Sequence, residues 1–199
     1  HQTMPKTSNT STKTPTTGST APIPESESGF AVSPSFSTFA NRVAPYLQQT
    51  PFHVSYYRIL EHFARGNIRR LIVSVPPQHG KSMGASVLLP AYLLGLDPDR
   101  KIAIASYNVT LASRFNRRVQ RIIDSPAYME LFPGTQIKPL TGRSEYVRTA
   151  TEADIIGHEG ELLAVGREGS LTGNEVDTFI LDDLYKDAME ANSPLIRDN

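Results

Sequence analysis

The stretch "VPPQHGKSMG", residues 75–84, follows the apolar run "LIVSV" and decides how the rest of the chain is read. A phosphate-binding loop needs successive backbone N–H groups at a helix N-terminus, a lysine that reaches the terminal phosphates and a hydroxyl for the metal ion. Gly80, Lys81 and Ser82 provide the tight turn, the cation and the hydroxyl where a buried strand should turn into a helix. The glycine that usually opens such a loop is replaced by Val75, and Pro76 and Pro77 have no N–H to donate. The cradle would therefore rest on the amides of Gln78, His79, Gly80, Lys81 and Ser82. The plain alternative is a strand-to-helix turn that contains Gly-Lys-Ser by chance.

A nucleotide hydrolase of this type also needs a carboxylate at the end of a neighbouring buried strand to hold magnesium, and a second to orient the attacking water. "VDTFILDD", residues 176–183, offers both: Thr178 to Leu181 read as a buried run, with Asp182 and Asp183 at its C-terminal edge, where open α/β sheets bind ligands. Asp182 is the expected metal ligand, together with Ser82. Lys81 and Asp183 are the expected catalytic pair. Successive strand residues point to opposite faces, so both aspartates can serve one site only if the chain turns at Asp183. A solvated acidic turn would carry the same letters.

Between these two motifs the pattern is that of an α/β domain with a mainly parallel sheet covered by helices. "SYYRILEHFARGN" reads as a helix ending at Gly66, and "RRLIVSV" as a buried strand. "MGASVLLPAYLLG" reads as a buried helix that Pro90 bends and Gly95 ends, and "KIAIAS" as a second buried strand. "VTLASRFNRRVQRIID" is a strongly amphipathic helix, and "EYVRTAT", "ELLAVG" and "VDTFILDD" are three further strands. Gly166, Gly169 and Gly173 lack dinucleotide spacing and read as a tight turn. Residues 1–34 are rich in Ser, Thr and Pro without apolar period, the composition of a disordered tail; residues 35–199 form the expected domain.

Composition excludes little more. The chain of 199 residues has no cysteine, which removes disulfides and thiolate metal sites. No stretch approaches the length of a membrane span and no secretory or transit signature is present, so a cytoplasmic protein is expected. The net charge of zero hides a sorting along the chain: 8 basic against 5 acidic residues in 1–99, 9 against 3 in 100–148, and 3 against 12 in 149–199. A basic middle suits phosphates and an acidic end suits a cation.

In order and spacing, "SVPPQHGKS", "IASYNVTLASRFNRRVQ", "LFPGTQI", "AVGREGSLTG" and "FILDDLYKDAMEANSP" resemble the large terminase subunits of tailed bacteriophages. The resemblance covers about residues 50–199. It implies a P-loop NTPase fold, ATP and Mg²⁺ as cofactors, and a motor that drives double-stranded DNA into a capsid. It also implies a homo-oligomeric ring working with a small terminase subunit and a portal protein in the host cytoplasm. In that family the loop commonly begins with Pro-Pro, which accounts for Val75. Two positions depart from the family pattern: Gln78 stands where Arg is frequent, and Asp183 where Glu is frequent. Gln48, Gln49 and His53 lie where such enzymes read adenine. The match stops before the coupling strand and nuclease centre of these enzymes, so the expected content is a partial motor without nuclease activity.

One helix carries a further expectation. Leu111, Phe115, Val119 and Ile122 form an apolar stripe, and Arg114, Arg117, Arg118 and Arg121 recur beside it. The four guanidinium groups could make a solvated face, bind DNA phosphates, or reach a neighbouring subunit's ATP as an arginine finger. Two other functional classes remain open on the letters alone. A P-loop kinase would pass phosphate to a small acceptor, and a non-catalytic fragment would bind nucleotide without turnover.

Overall fold

A computed structural model describes His1 and residues 33–139, 145–167, 169 and 175–185, and the architecture below is that of the unit Ser33–Asn199. Among the described residues its sheet has four strands, β1 (Lys101–Ser106), β2 (Glu152–Asp154), β3 (Glu161–Gly166) and β4 (Thr178–Leu181), in the order β2-β3-β1-β4. β1 runs parallel to β3 on one side and to β4 on the other, while the short β2 pairs antiparallel to β3, so the α/β expectation holds with a mixed sheet. Ile102 to Ala105 of β1 are buried without interruption, as a central strand covered on both faces requires.

Helices flank the sheet. α1 (Phe36–Val43) and α2 (Pro51–Ala64) lead into the loop, which is followed by a π-helical stretch, Met83–Leu88, and by α3 (Leu89–Leu96). α4 (Val109–Ile123) packs on β1 and β3, and α5 (Pro126–Leu131) follows it. Asn108 starts α4, its side chain accepting from the Leu111 N–H at 2.8 Å. The stripe of the amphipathic pattern faces inward: Phe115, Val119 and Ile122 are buried. Among the described residues no helix is long and apolar enough to cross a membrane.

Four readings of the sequence are corrected. "LIVSV" is not a strand: residues 71–75 have no sheet partner among the described residues, and Ile72 is 96% exposed. β4 pairs only with β1 among the described residues, so the apolar run lacks the neighbouring ladder that would satisfy its backbone and cover its side chains. "TFIL" alternates instead of lying fully buried, with Phe179 and Leu181 exposed, because one face of β4 is uncovered. "EYVRTAT" contributes only an isolated bridge, Arg148 to Ala153; the three-residue strand β2 begins immediately after it, at Glu152.

Gly95, finally, does not end its helix. A Cβ there would sit 2.4 Å from the Phe132 ring, so the residue permits close packing of α3 on the aromatic cluster of Phe36, Phe39, Tyr92, Tyr128 and Phe132. Pro90 does mark a distortion. It lacks the N–H for an intrahelical bond, and the widened π turn immediately before it accommodates the loss.

The tail reading for residues 1–34 falls outside the described residues except at His1, Ser33 and Pro34. The Pro34 carbonyl accepts a hydrogen bond from the Tyr92 hydroxyl at 2.7 Å.

Candidate functional site

The loop between Val75 and Lys81 turns twice through left-handed backbone, at Gln78 (φ 64°) and Gly80 (φ 74°). Gly80 adopts this freely; Gln78 does so at a cost of roughly 1 kcal/mol or more, typical of strain held at ligand sites. The helix then starts at Lys81, leaving the first amides of its N-terminus without intrahelical acceptors. Loop and helix border a cleft of about 420 Å³, lined by Pro77, Gln78, Gly80, Lys81, Ser82 and Asp183. His79 lies outside that lining, its ring Nδ1 2.8 Å from the Pro77 carbonyl oxygen, so its side chain braces the turn.

Lys81 and the two aspartates meet. The Lys81 Nζ lies 3.4 Å from Asp182 Oδ1 and 3.6 Å from Asp183 Oδ1. The problem of adjacent residues facing opposite ways is solved by the backbone: Asp183 has φ 49°, the turn the sequence required. Its carbonyl is held by the Tyr107 N–H at 2.9 Å and the Ser106 hydroxyl at 3.3 Å, which fixes the turn against the end of β1. The two carboxylates have different surroundings. Asp182 is 4% exposed, while the Asp183 side chain is 55% exposed at the cleft.

The buried carboxylate has a second partner that sequence reasoning missed. Ser86 donates its hydroxyl proton to Asp182 Oδ2 at 2.7 Å, and both residues are buried. Ser82 and Ser86 are four apart, hence on one face of the helix, and that spacing was the available signal. Tyr56 of α2 also reaches the loop. Its ring is buried, and its hydroxyl donates to the Lys81 carbonyl at 2.8 Å, tying α2 to the residue that carries the cation. Burial, and next the charge of Asp182, push the Tyr56 hydroxyl pKa well up, so it remains a donor. Gly84 makes this contact possible: a Cβ there would fall 2.5 Å from Tyr56 Cε1.

The adenine candidates are used locally. His53 Nδ1 accepts from the Thr50 N–H at 3.3 Å and so caps α2, while Gln49 donates to the Ser37 carbonyl at 3.1 Å and to Asn41 Oδ1 at 2.7 Å. Gln48 shows no comparable contact among the described residues. Arg114, Arg117, Arg118 and Arg121 all lie on the exposed face of α4, and none forms an ion pair among the described residues. Gly166 ends β3 against the start of α4, where a Cβ would meet the Val109 nitrogen at 2.8 Å; Gly169 N–H closes the turn on the Gly166 carbonyl at 2.8 Å, and Gly173 lies outside the described residues.

The donor set suits a magnesium–triphosphate. Ser82 and Asp182 offer hard oxygen ligands, and one oxygen of each aspartate, the buried Asp182 and the cleft-lining Asp183, already lies beside a cation, the Lys81 ammonium. Polar backbone, one lysine and one accessible carboxylate share a cleft of about 420 Å³, within the ~300–1,000 Å³ typical of small-molecule sites. No protein-family model, no curated protein and no solved structure matches the chain.

Proposed function

We propose that this chain is the ATP-hydrolysing region of a phage-type terminase large subunit, of P-loop NTPase fold, acting on double-stranded DNA. The observation that carries the reading is the convergence of Lys81, Asp182 and Asp183 beside the 75–82 loop. These residues lie about a hundred positions apart in sequence and meet at the C-terminal edge of a parallel strand pair, the edge at which such sheets bind ligands.

In this reading the amides from Gln78 onward surround the phosphates, and Lys81 leaves the carboxylates to neutralise charge developing on the transferring phosphoryl group. Ser82 and Asp182 would hold Mg²⁺, whose chemistry when bound is neutralisation of phosphate oxygens. Ser86 keeps Asp182 oriented through Oδ2, so Oδ1 is the oxygen left for a cation. Asp183, exposed on the cleft, accepts a proton from or orients the attacking water. The DNA, small-subunit and portal partners, the ring and the host cytoplasm belong to the same proposal and rest on the motif resemblance.

The test is ATP turnover by the wild type and the Lys81→Ala variant, with and without duplex DNA. The expected result is DNA-stimulated hydrolysis that weakens steeply with salt and falls by ~10³-fold or more in the variant, with circular dichroism unchanged. Wild-type turnover in Lys81→Ala would remove the assignment. DNA-independent transfer of phosphate to a small acceptor would favour a kinase instead.

A further inference from the structure

A second cleft, of about 470 Å³, opens beside the exposed face of α4. Val43, Met83, Val87 and Ile122 give it an apolar floor, and Arg118 and Arg121 give it a cationic wall. Tyr46, 72% exposed, stands at its rim. The volume is again within the ~300–1,000 Å³ of small-molecule sites.

Among the described residues no acid pairs with this wall. The acid nearest to Arg121 in sequence, Asp124, is committed to Arg148 by contacts of 2.5 and 3.2 Å. Glu130, on the following helix, is paired with Arg42 at 2.6 Å. No carboxylate lines the cleft among the described residues, and the hydroxyl of Ser125, which also lines it, already donates to the Ile122 carbonyl at 2.6 Å. Recognition is thus left to two guanidinium forks one helical turn apart, which match the oxygens of a phosphate or carboxylate.

The four arginines of α4 therefore divide. Arg114 and Arg117 are surface charges, whereas Arg118 and Arg121 border an apolar recess. A polyanion lying along the helix would engage all four and leave the floor unused. An anion attached to an apolar ring would use both halves of the recess.

We propose that this cleft binds a small amphiphilic anion, its phosphate or carboxylate on Arg118 and Arg121 and its ring-sized apolar body over the half-buried Val43 and Met83. The site is separate from the Lys81 cleft and does not depend on the ATPase reading; Met83 borders both.

The probes are 1-naphthyl phosphate and 1-naphthoate, titrated by fluorescence against the protein. At least one should bind with Kd below ~1 mM, and Arg118→Gln with Arg121→Gln should weaken it by ~10-fold or more. Two controls define the site. Arg114→Gln with Arg117→Gln, an equal loss of charge on the same helix, should leave Kd within ~2-fold, and inorganic phosphate and 1-naphthol should each bind ~10-fold more weakly or worse. Lys81→Ala should leave naphthyl binding unchanged even if it removes nucleotide binding. Equal losses in the two double variants, loss in Lys81→Ala, binding of inorganic phosphate as tight as that of the naphthyl anions, or no binding below ~1 mM would each overturn the proposal.

Discussion

Two acidic clusters sit at opposite edges of one sheet. At the C-terminal edge, Asp182 and Asp183 follow β4; at the N-terminal edge, Glu161 opens β3 and its carboxylate lies within 4.8 Å of those of Glu152 and Asp154 on β2. The first has a buried member with two made-to-measure partners, Ser86 at 2.7 Å and Lys81 at 3.4 Å, and a backbone bent to φ 49° to bring in its neighbour. The second is half-exposed and its members repel one another. Counting carboxylates does not separate the two. What separates them is that one carboxylate has been taken out of water and its desolvation offset by dedicated donors, which happens where a charge is needed in place.

The strongest way to break this comparison is to neutralise each cluster in turn. On the proposed function, Asp182→Asn is expected to lower ATP turnover by ~10³-fold or more, since it removes the carboxylate proposed to hold Mg²⁺. Glu152→Gln with Asp154→Asn should leave turnover within ~2-fold, because those groups lie at the far edge of the sheet. Steady-state hydrolysis at saturating ATP decides it; a comparable loss in both variants would erase the functional distinction between the edges.

A smaller effect tests whether the partners are built in. Ser86→Ala leaves one oxygen of a 4% exposed carboxylate without its donor, and should cost about 1–3 kcal/mol of stability. Turnover should fall with it, by ~10–100-fold, while Ser86→Thr, which keeps the hydroxyl, restores most of the activity. Gly84→Ala probes the same assembly from the other side. The new methyl would collide with the Tyr56 ring that anchors Lys81, and overpacking of this kind costs about 1–3 kcal/mol. Chemical denaturation reads both, and a Ser86→Ala protein as stable as the wild type would show that Asp182 needs no support from the helix.

How much of this was legible in the letters depends on how local the cause is. α4, β1 and β3 carry their pattern in their own residues and lie where it puts them, while α2 overlaps the stretch read as a helix but starts four residues before it, at Pro51. The Gly-Lys-Ser turn and the Asp-Asp pair were legible as a pair, each following an apolar run, and the fold brings Lys81 within 3.4 and 3.6 Å of the two carboxylates. "LIVSV" was misread because a strand is a property of two chains, and β propensity does not supply the neighbour. α1 and α5 are short, and α1 buries Phe36 and Phe39 through contacts with distant rings, which no local period reveals. Ser86 was passed over for a related reason: its partner is 96 residues away, and only the fold brings Asp182 onto it.

The mildest prediction concerns the other edge. Burial first, and then the charges of Glu152 and Asp154, raise the Glu161 pKa, with Lys101 opposing. The folded protein therefore holds this proton to higher pH than the unfolded chain does. Stability falls as pH rises through the ordinary glutamate range toward the raised folded value, and the penalty persists at neutral pH. Glu161→Gln removes the ionisation. It should raise the melting temperature at pH 7, by the equivalent of about 0.5 kcal/mol or less because the group is partly solvated, and change little below pH 4, where the wild-type carboxyl is protonated anyway. Melting curves of both proteins from pH 3 to 8 should converge at the acid end and separate above it. The opposite order at pH 7 would mean that the carboxylate at this edge, like Asp182 at the other, is held by a favourable partner.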